Sequence, residues 1–163
     1  MSNRSEQNLA VAKKYIDGVL TGDLSVIDET MTADVNYTII SSASPHSSAA
    51  IPWSGNHRGR EAVKAYQRRL GAAQDSRVDG IERWVADDDT VVAFATVHAQ
   101  SPKTGRSGTW EIAFRFDFSD GLISNYFLYE DSFSAAIVHS VGGALQMVDV
   151  EGQRYAPALH NIA

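Results

Sequence analysis

The side chains able to do chemistry in this chain of 163 residues carry oxygen and imidazole groups, since there are five histidines and no cysteine. Thiolate nucleophiles, thiolate zinc sites and disulfide scaffolds are thereby excluded, a composition that fits a reducing cytoplasm. The histidines His46, His57, His98, His139 and His160 show no His-x-x-x-His or similar spacing, so no metal site is expected. Asp87-Asp88-Asp89 has the donor type for a hard cation. It lacks the alternating ligand spacing and closing Glu of a calcium loop, and a hairpin turn accounts for it. No glycine-rich phosphate loop or nucleophile elbow is present, so neither a nucleotide cofactor nor serine hydrolysis is expected.

Acid/base chemistry remains. Asp131 is the first candidate: a carboxylate in an apolar cavity has a raised pKa and can move protons near neutral pH. The same residue, next to Ser132, is also a favoured N-cap for a helix that follows. His98 shares a strand face with Val92, Phe94 and Thr96, where a polar ring needs a partner. It could exchange a proton with a carbonyl substrate beside Asp131, or be a strand-end histidine bonded to backbone or solvent. Tyr37 alternates with Val35 and Ile39, and Tyr15 lies on a helical stripe. Either hydroxyl could donate to an oxyanion, and either ring could serve as packing. His57, Arg58 and Arg60 gather at a helix start, as an anion site or a solvated loop. Trp53, Trp110, Phe114, Phe94, Ile39 and Phe127 are expected to line a pocket, Trp53 as a lid within a Ser/Pro-rich loop.

The elements that must position these groups follow from pattern. Leu9, Ala12, Ile16, Val19 and Leu20 make a helical stripe that Gly22 ends, and Asp23 is placed to cap a short helix from Leu24 to about Met31. Residues 34–40 alternate and read as a strand. Residues 41–56, with six serines, two prolines and a glycine, read as a long loop, which in a compact domain points to function or mobility. A third helix spans about Arg60 to Ala72. From Arg77 the period becomes two, giving strands at about Val78–Ala86, Val91–Gln100, Ser107–Phe118 and Leu122–Tyr129, joined by turn-forming segments. Trp110, Ile112, Phe114, Phe116 and Phe118 form an aromatic wall along one strand. A final helix to about Val141 stops at Gly142-Gly143, and Met147–Val150 could add an edge strand. Helices followed by an antiparallel meander make an α+β domain.

In order and spacing, four stretches resemble the nuclear-transport-factor-2-like superfamily. They are Tyr15-Ile-Asp-Gly-Val-Leu-Thr-Gly-Asp23, Thr32-Ala-Asp-Val-Asn-Tyr37, Gly55-Asn-His-Arg-Gly-Arg-Glu-Ala-Val63, and Asp120-Gly-Leu-Ile123 through Tyr129-Glu-Asp131. That group holds ketosteroid isomerases, limonene-epoxide hydrolases, scytalone dehydratases and SnoaL-like cyclases. The resemblance covers about residues 9–140 of a single SnoaL-like domain, with 141–163 as an extension. It implies N-terminal helices packed on a strongly curved mixed or antiparallel sheet, a cone (cystatin-like roll) with an internal pocket. The isomerases' base aspartate corresponds to Ile39, so that chemistry is lost, while Tyr15 resembles their oxyanion-donating tyrosine. The hydrolases' last-strand aspartate corresponds to Asp131 and their water-binding tyrosine to Tyr37, but their preceding-strand Arg and Asp become Phe94 and Thr96. The cyclases' last-strand aspartate with a nearby histidine implies Asp131 with His98.

These readings lead to a cofactor-free isomerase, cyclase or dehydratase that moves a proton on an apolar carbonyl compound, with Asp131, His98, Tyr37 and Tyr15 as its working groups. The alternative is a non-catalytic binding or accessory protein with the same pocket. The partner expected is a small apolar or aromatic molecule. A net charge of −6 argues against nucleic acid, and no apolar run is long enough for a membrane span. The polar start lacks a signal-peptide core, which together with the missing cysteines leads to a cytoplasmic expectation. The resemblance also implies a homodimer.

Overall fold

A computed structural model describes residues 2–40, 51, 54–141, 147–148 and 153–155. Helix α1 (Asn3–Thr21) is capped by Ser2, whose hydroxyl accepts from the Ser5 N–H at 3.1 Å. It ends where Gly22 turns left-handed (φ 82°), and the Gly22 and Asp23 N–H groups close back on the Val19 and Gly18 carbonyls. Its buried stripe is Ser5, Asn8, Ala12, Tyr15 and Ile16. Relative to the expected stripe this is rotated, because the Asn8 amide and the Ser2 hydroxyl dock on Asp88, and Leu20 is left 48% exposed. Helix α2 (Val26–Thr30) packs against α1 at Gly18, where any Cβ would lie 2.0 Å from a Val26 methyl. Asp23 does not cap α2 directly; its carboxylate accepts from the Ser25 N–H and hydroxyl in the turn that leads into it.

Strand β1 (Met31–Ile39) pairs antiparallel with β2 (Gly55–Arg58), and helix α3 (Arg60–Ala73) follows. The meander then runs through β3 (Asp75–Ala86), β4 (Thr90–Gln100), β5 (Ser107–Ser119) and β6 (Leu122–Glu130) to helix α4 (Ser132–His139). The sheet order is β2-β1-β6-β5-β4-β3, and β1 lies parallel to β6, so the sheet is mixed. The strand expected at Met147 is β7 (Met147–Val148), paired with β8 (Arg154–Tyr155) in a separate ribbon. Among the described residues, four helices on an unclosed six-stranded sheet make the expected α+β cone.

Asp87-Asp88-Asp89 is the expected turn. The Asp87 carboxylate accepts from the Asp89 and Thr90 N–H groups, which lowers its pKa, and Asp89 pairs with Arg4 at 2.7 Å.

Two details of register decide which side chains face inward. Along β4, Val91, Ala93, Ala95, Val97 and Ala99 are buried under the helices, so Val92, Phe94, Thr96 and His98 lie on the outer face. Along β6, Phe118 pairs with Ile123 and Asp117 with Asn125, leaving Ser124 as an extra residue. This β-bulge, held by the Ser124 hydroxyl on the Asp117 carbonyl, switches the inward parity. Ile123 points inward before it; Tyr126, Leu128 and Glu130 point inward after it.

Candidate functional site

The concave side of the sheet, α1, α3 and α4 enclose a cavity of about 570 Å³, within the range for drug-sized ligands. Its walls are mostly aromatic and aliphatic, with Tyr15, Tyr37, Tyr66, Trp110, Phe114 and Tyr126 among them. The polar groups fall into two sets.

The first set is a tyrosine pair. The Tyr15 hydroxyl lies 2.9 Å from that of Tyr37, and the Gln67 amide donates to both, at 3.2 and 3.0 Å. Two hydroxyls carry two protons, and the bond between them uses one. The Tyr126 hydroxyl also bonds with Tyr37, so three hydroxyls share two such bonds and one O–H remains unspent within the cluster. Burial pushes both phenol pKa values far up, so both groups stay protonated donors at neutral pH. Tyr126 stacks flat on Tyr37, with ring centroids 4.0 Å apart, and fixes its plane.

Glu130 makes the second set. It is the last residue of β6 and the sole acid among the described residues lining the cavity. Protein surrounds the carboxyl, although part of its surface faces the cavity, and this desolvation raises its pKa from 4.5 to about 7. The Trp110 indole N–H donates to it at 3.1 Å and favours the ionised form, and nearby Asp131 opposes ionisation. Burial is the main cause that raises the Tyr66 and Tyr126 pKa values, and the charge of Glu130 adds to it, so acid and phenols share one electrostatic neighbourhood.

Of the residues expected to do chemistry, Tyr15 and Tyr37 thus line the cavity together. The expectation that Asp131 points into it is corrected. Asp131 lies one residue beyond β6 and is the N-cap of α4, accepting from the Phe133 N–H at 3.0 Å and the Ser134 N–H at 3.1 Å. The Ser134 hydroxyl donates to its other oxygen at 2.6 Å, and that bond is the main reason its pKa is lowered. His98 is corrected too: it faces outward, with Nε2 2.6 Å from Asp79 and Nδ1 2.8 Å from the Thr109 hydroxyl, a brace from the edge strand β3 across β4 to β5. Asp131 and His98 therefore do not form a pair; each has other partners.

Trp110 and Phe114 line the cavity. Phe94 is on the outer face and 41% exposed, Phe127 stacks on Tyr129 on that face, and Ile39 is buried core outside the lining. Trp53 lies outside the described residues. Arg58 pairs with Asp34 across the β1–β2 hairpin, Arg60 donates to the Met31 carbonyl, and His57 packs on Tyr66, so these three meet protein partners.

Glu130 was missed. The signal was an acid in alternation with Tyr126 and Leu128, visible only if counted from Tyr126 rather than Ile123. Among the described residues no three His, Asp or Glu side chains are placed to hold a metal ion, and no helix is long and apolar enough to cross a membrane.

The cap assignment for Asp131 has a measurable outcome. Asp131→Ala should lower unfolding stability by about 1 kcal/mol, as for other N-cap losses, and leave any turnover within about twofold. Denaturant titration and a rate measurement on the same variant test both halves.

A model of the SnoaL-like domain matches residues 12–126. The chain belongs to that family. Among solved structures it is similar to an NTF2-like protein from Burkholderia xenovorans LB400, with a TM-score of 0.72 and 16% identity over 83% of this chain and 98% of that one. It is also similar to a protein assigned as a polyketide cyclase from Xanthomonas campestris pv. campestris, with a TM-score of 0.68 and 16% identity over 82% and 98%. An LEH-like epoxide hydrolase from M. tuberculosis aligns with a TM-score of 0.61 and 16% identity over 80% and 86%. No curated protein matches. Identities this low carry the fold and leave the chemistry to the site.

Proposed function

We propose that the chain is a cofactor-independent enzyme that moves a proton α to a carbonyl of a mostly apolar, aromatic small molecule. Glu130 is the acid/base, and the Tyr15–Tyr37 pair donates to the enolate oxygen. The observation that carries this reading is a carboxyl with a pKa near 7 in the same cavity as a bonded tyrosine pair with a proton to spare. A base of that pKa is ionised enough at neutral pH to accept a carbon-bound proton, yet basic enough to hold it. A buried phenol O–H aimed where negative charge develops stabilises the enolate more than bulk water does. Isomerisation, cyclisation and dehydration can all begin with this step, and the likeness in fold to proteins assigned as a polyketide cyclase and an epoxide hydrolase supports a reading as an enzyme.

The test is α-proton exchange in D2O, followed by NMR on aromatic ketones such as 2-tetralone. The expected result is exchange above the buffer background that falls to background in Glu130→Gln. Binding without exchange would mean that the cavity only carries its ligand, and would overturn the catalytic reading.

For assembly, we propose that the outer sheet face meets a second copy of the chain. Val85, Phe94 and Tyr129 are each more than 40% exposed there, and register sets Phe94 beside Ala113 and Ala113 beside Tyr129. Arg83, Glu82 and Glu111 flank this apolar strip with charges of both signs, which a two-fold axis can pair with themselves. Light scattering should give a dimer mass for the native chain and a monomer mass for Phe94→Glu. A monomeric native chain sinks the idea.

A further inference from the structure

The cavity has a polarity gradient that its deep chemistry does not use. Tyr15, Tyr37, Tyr66, Tyr126 and Trp110 at its inner end are buried. The exposed lining residues, Leu20, Thr21, Gly22, Arg68, Gly71 and Ser76, lie at the end of α1, in the second half of α3 and at the start of β3, so the opening lies there. Arg68 is the sole cation among the described lining residues.

We propose that the ligand carries an anionic group, carboxylate-like in geometry, on its aromatic body, and that Arg68 at the rim receives that group. The inference rests on the cavity being the binding site of the proposed function. Three observations carry it.

First, Arg68 is uncommitted: among the described residues its guanidinium takes part in no ion pair or hydrogen bond. One turn earlier on the same helix, Lys64 is held at 2.8 Å by both Asp28 and Glu61. Second, the cavity's own acid does not claim it. The Glu130 carboxyl accepts from the buried Trp110 indole at 3.1 Å, Arg68 is exposed, and among the described residues no ion pair joins the two. Acid and cation therefore occupy separate parts of the cavity, the acid among the phenols and the cation at the mouth. Third, the chain carries a net charge of −6, which repels an anion at long range. A free guanidinium at the opening reverses that locally, and its planar fork matches a two-oxygen anion. An anionic head held at the rim would leave the aromatic body to run inward, towards the tyrosine pair and Glu130.

The test uses two fluorescent probes that share an aromatic body and differ in charge: 8-anilinonaphthalene-1-sulfonate and the neutral N-phenyl-1-naphthylamine. Each is titrated into the full chain and into Arg68→Gln and Arg68→Lys. The expected result is that Arg68→Gln weakens the sulfonate probe about 5- to 10-fold, the range for losing one charge-assisted contact at a partly solvated site. The neutral probe should stay within twofold, and Arg68→Lys should recover part of the loss. Added salt should weaken the sulfonate probe on the native chain and have little effect on Arg68→Gln. The two probes should compete.

Equal effects of Arg68→Gln on both probes, or none on either, would overturn the assignment to Arg68 while leaving the cavity as a binding site. Lack of competition would place the sulfonate elsewhere and overturn it as well. Failure of both probes to bind the native chain would overturn the cavity reading on which the inference rests.

Discussion

Replacing Glu130 with glutamine should remove proton transfer and at the same time make the protein more stable at neutral and alkaline pH. The first effect follows from deleting the base: a positioned acid/base group contributes about 10²- to 10⁴-fold in rate, and the amide that replaces it cannot take a proton. Glutamine keeps the shape and an oxygen for the Trp110 N–H, so the aromatic wall is preserved.

The second effect has a defined sign. In the unfolded chain the carboxyl ionises near 4.5, and in the fold near 7. Between those values the native state holds a proton that the unfolded state has released, so stability falls as pH rises through that window. Below about 4.5 the group is neutral in both states and costs nothing. Above about 7 the burial penalty is fully present, on the order of 3 kcal/mol at most. Wild type and Glu130→Gln should therefore melt together at pH 4.5 and separate by pH 8, with the variant the more stable. Parallel melting curves across that range would show that the carboxyl is not desolvated in the fold, and the assignment of Glu130 as base would go with it. On the same grounds the native rate should rise through about pH 7 as the base ionises.

Tyr37→Phe should lower the rate about 10²- to 10³-fold, the usual cost of losing an oxyanion donor, with a smaller change in ligand affinity. The loss reaches beyond one hydroxyl, because Tyr15 and Gln67 both bond to it. Tyr15→Phe should produce a loss of the same kind. The double variant should fall well short of the product of the two, since each single change already breaks the shared bond. Full multiplicativity would mean that the phenols act separately, and an unchanged rate in both would remove the pair from the mechanism. The pH dependence provides an internal control: the rise near pH 7 belongs to Glu130 and should survive in both phenylalanine variants.

Much of the scaffold could be read from local pattern because local chemistry determines it. Gly22 ends α1, the Asp87 carboxylate closes a hairpin, and alternation along Trp110–Phe118 marks an inward wall. Tyr37 could be placed by its alternation with Val35 and Ile39, all three of which are buried. The facing of β4 could not, since Val92 and Phe94 on one side are as apolar as Val91 and Ala93 on the other. The buried side is the one whose alanines let α1 approach the sheet, a matter of volume rather than hydropathy. The pairing of β1 with β6 joins residues some 90 positions apart and has no local signature. Asp131 was conspicuous because it stands at the end of the last strand, and its neighbour does the facing.

The extra residue at Ser124 has an evolutionary consequence. A strand with period two has two spatial reading frames, and a one-residue insertion or deletion exchanges them. In the present frame Glu130 enters the cavity because the bulge absorbs Ser124; in a regular strand that kept Ser124, Tyr129 and Asp131 would turn towards the cavity and Glu130 outward. Two adjacent acids at the end of β6 are thus alternates, selected by whether the strand bulges there. Between members of this family, a shared alignment column at this strand end need not be a shared position in the cavity, and gain or loss of the bulge is a single-step route from one acid to another.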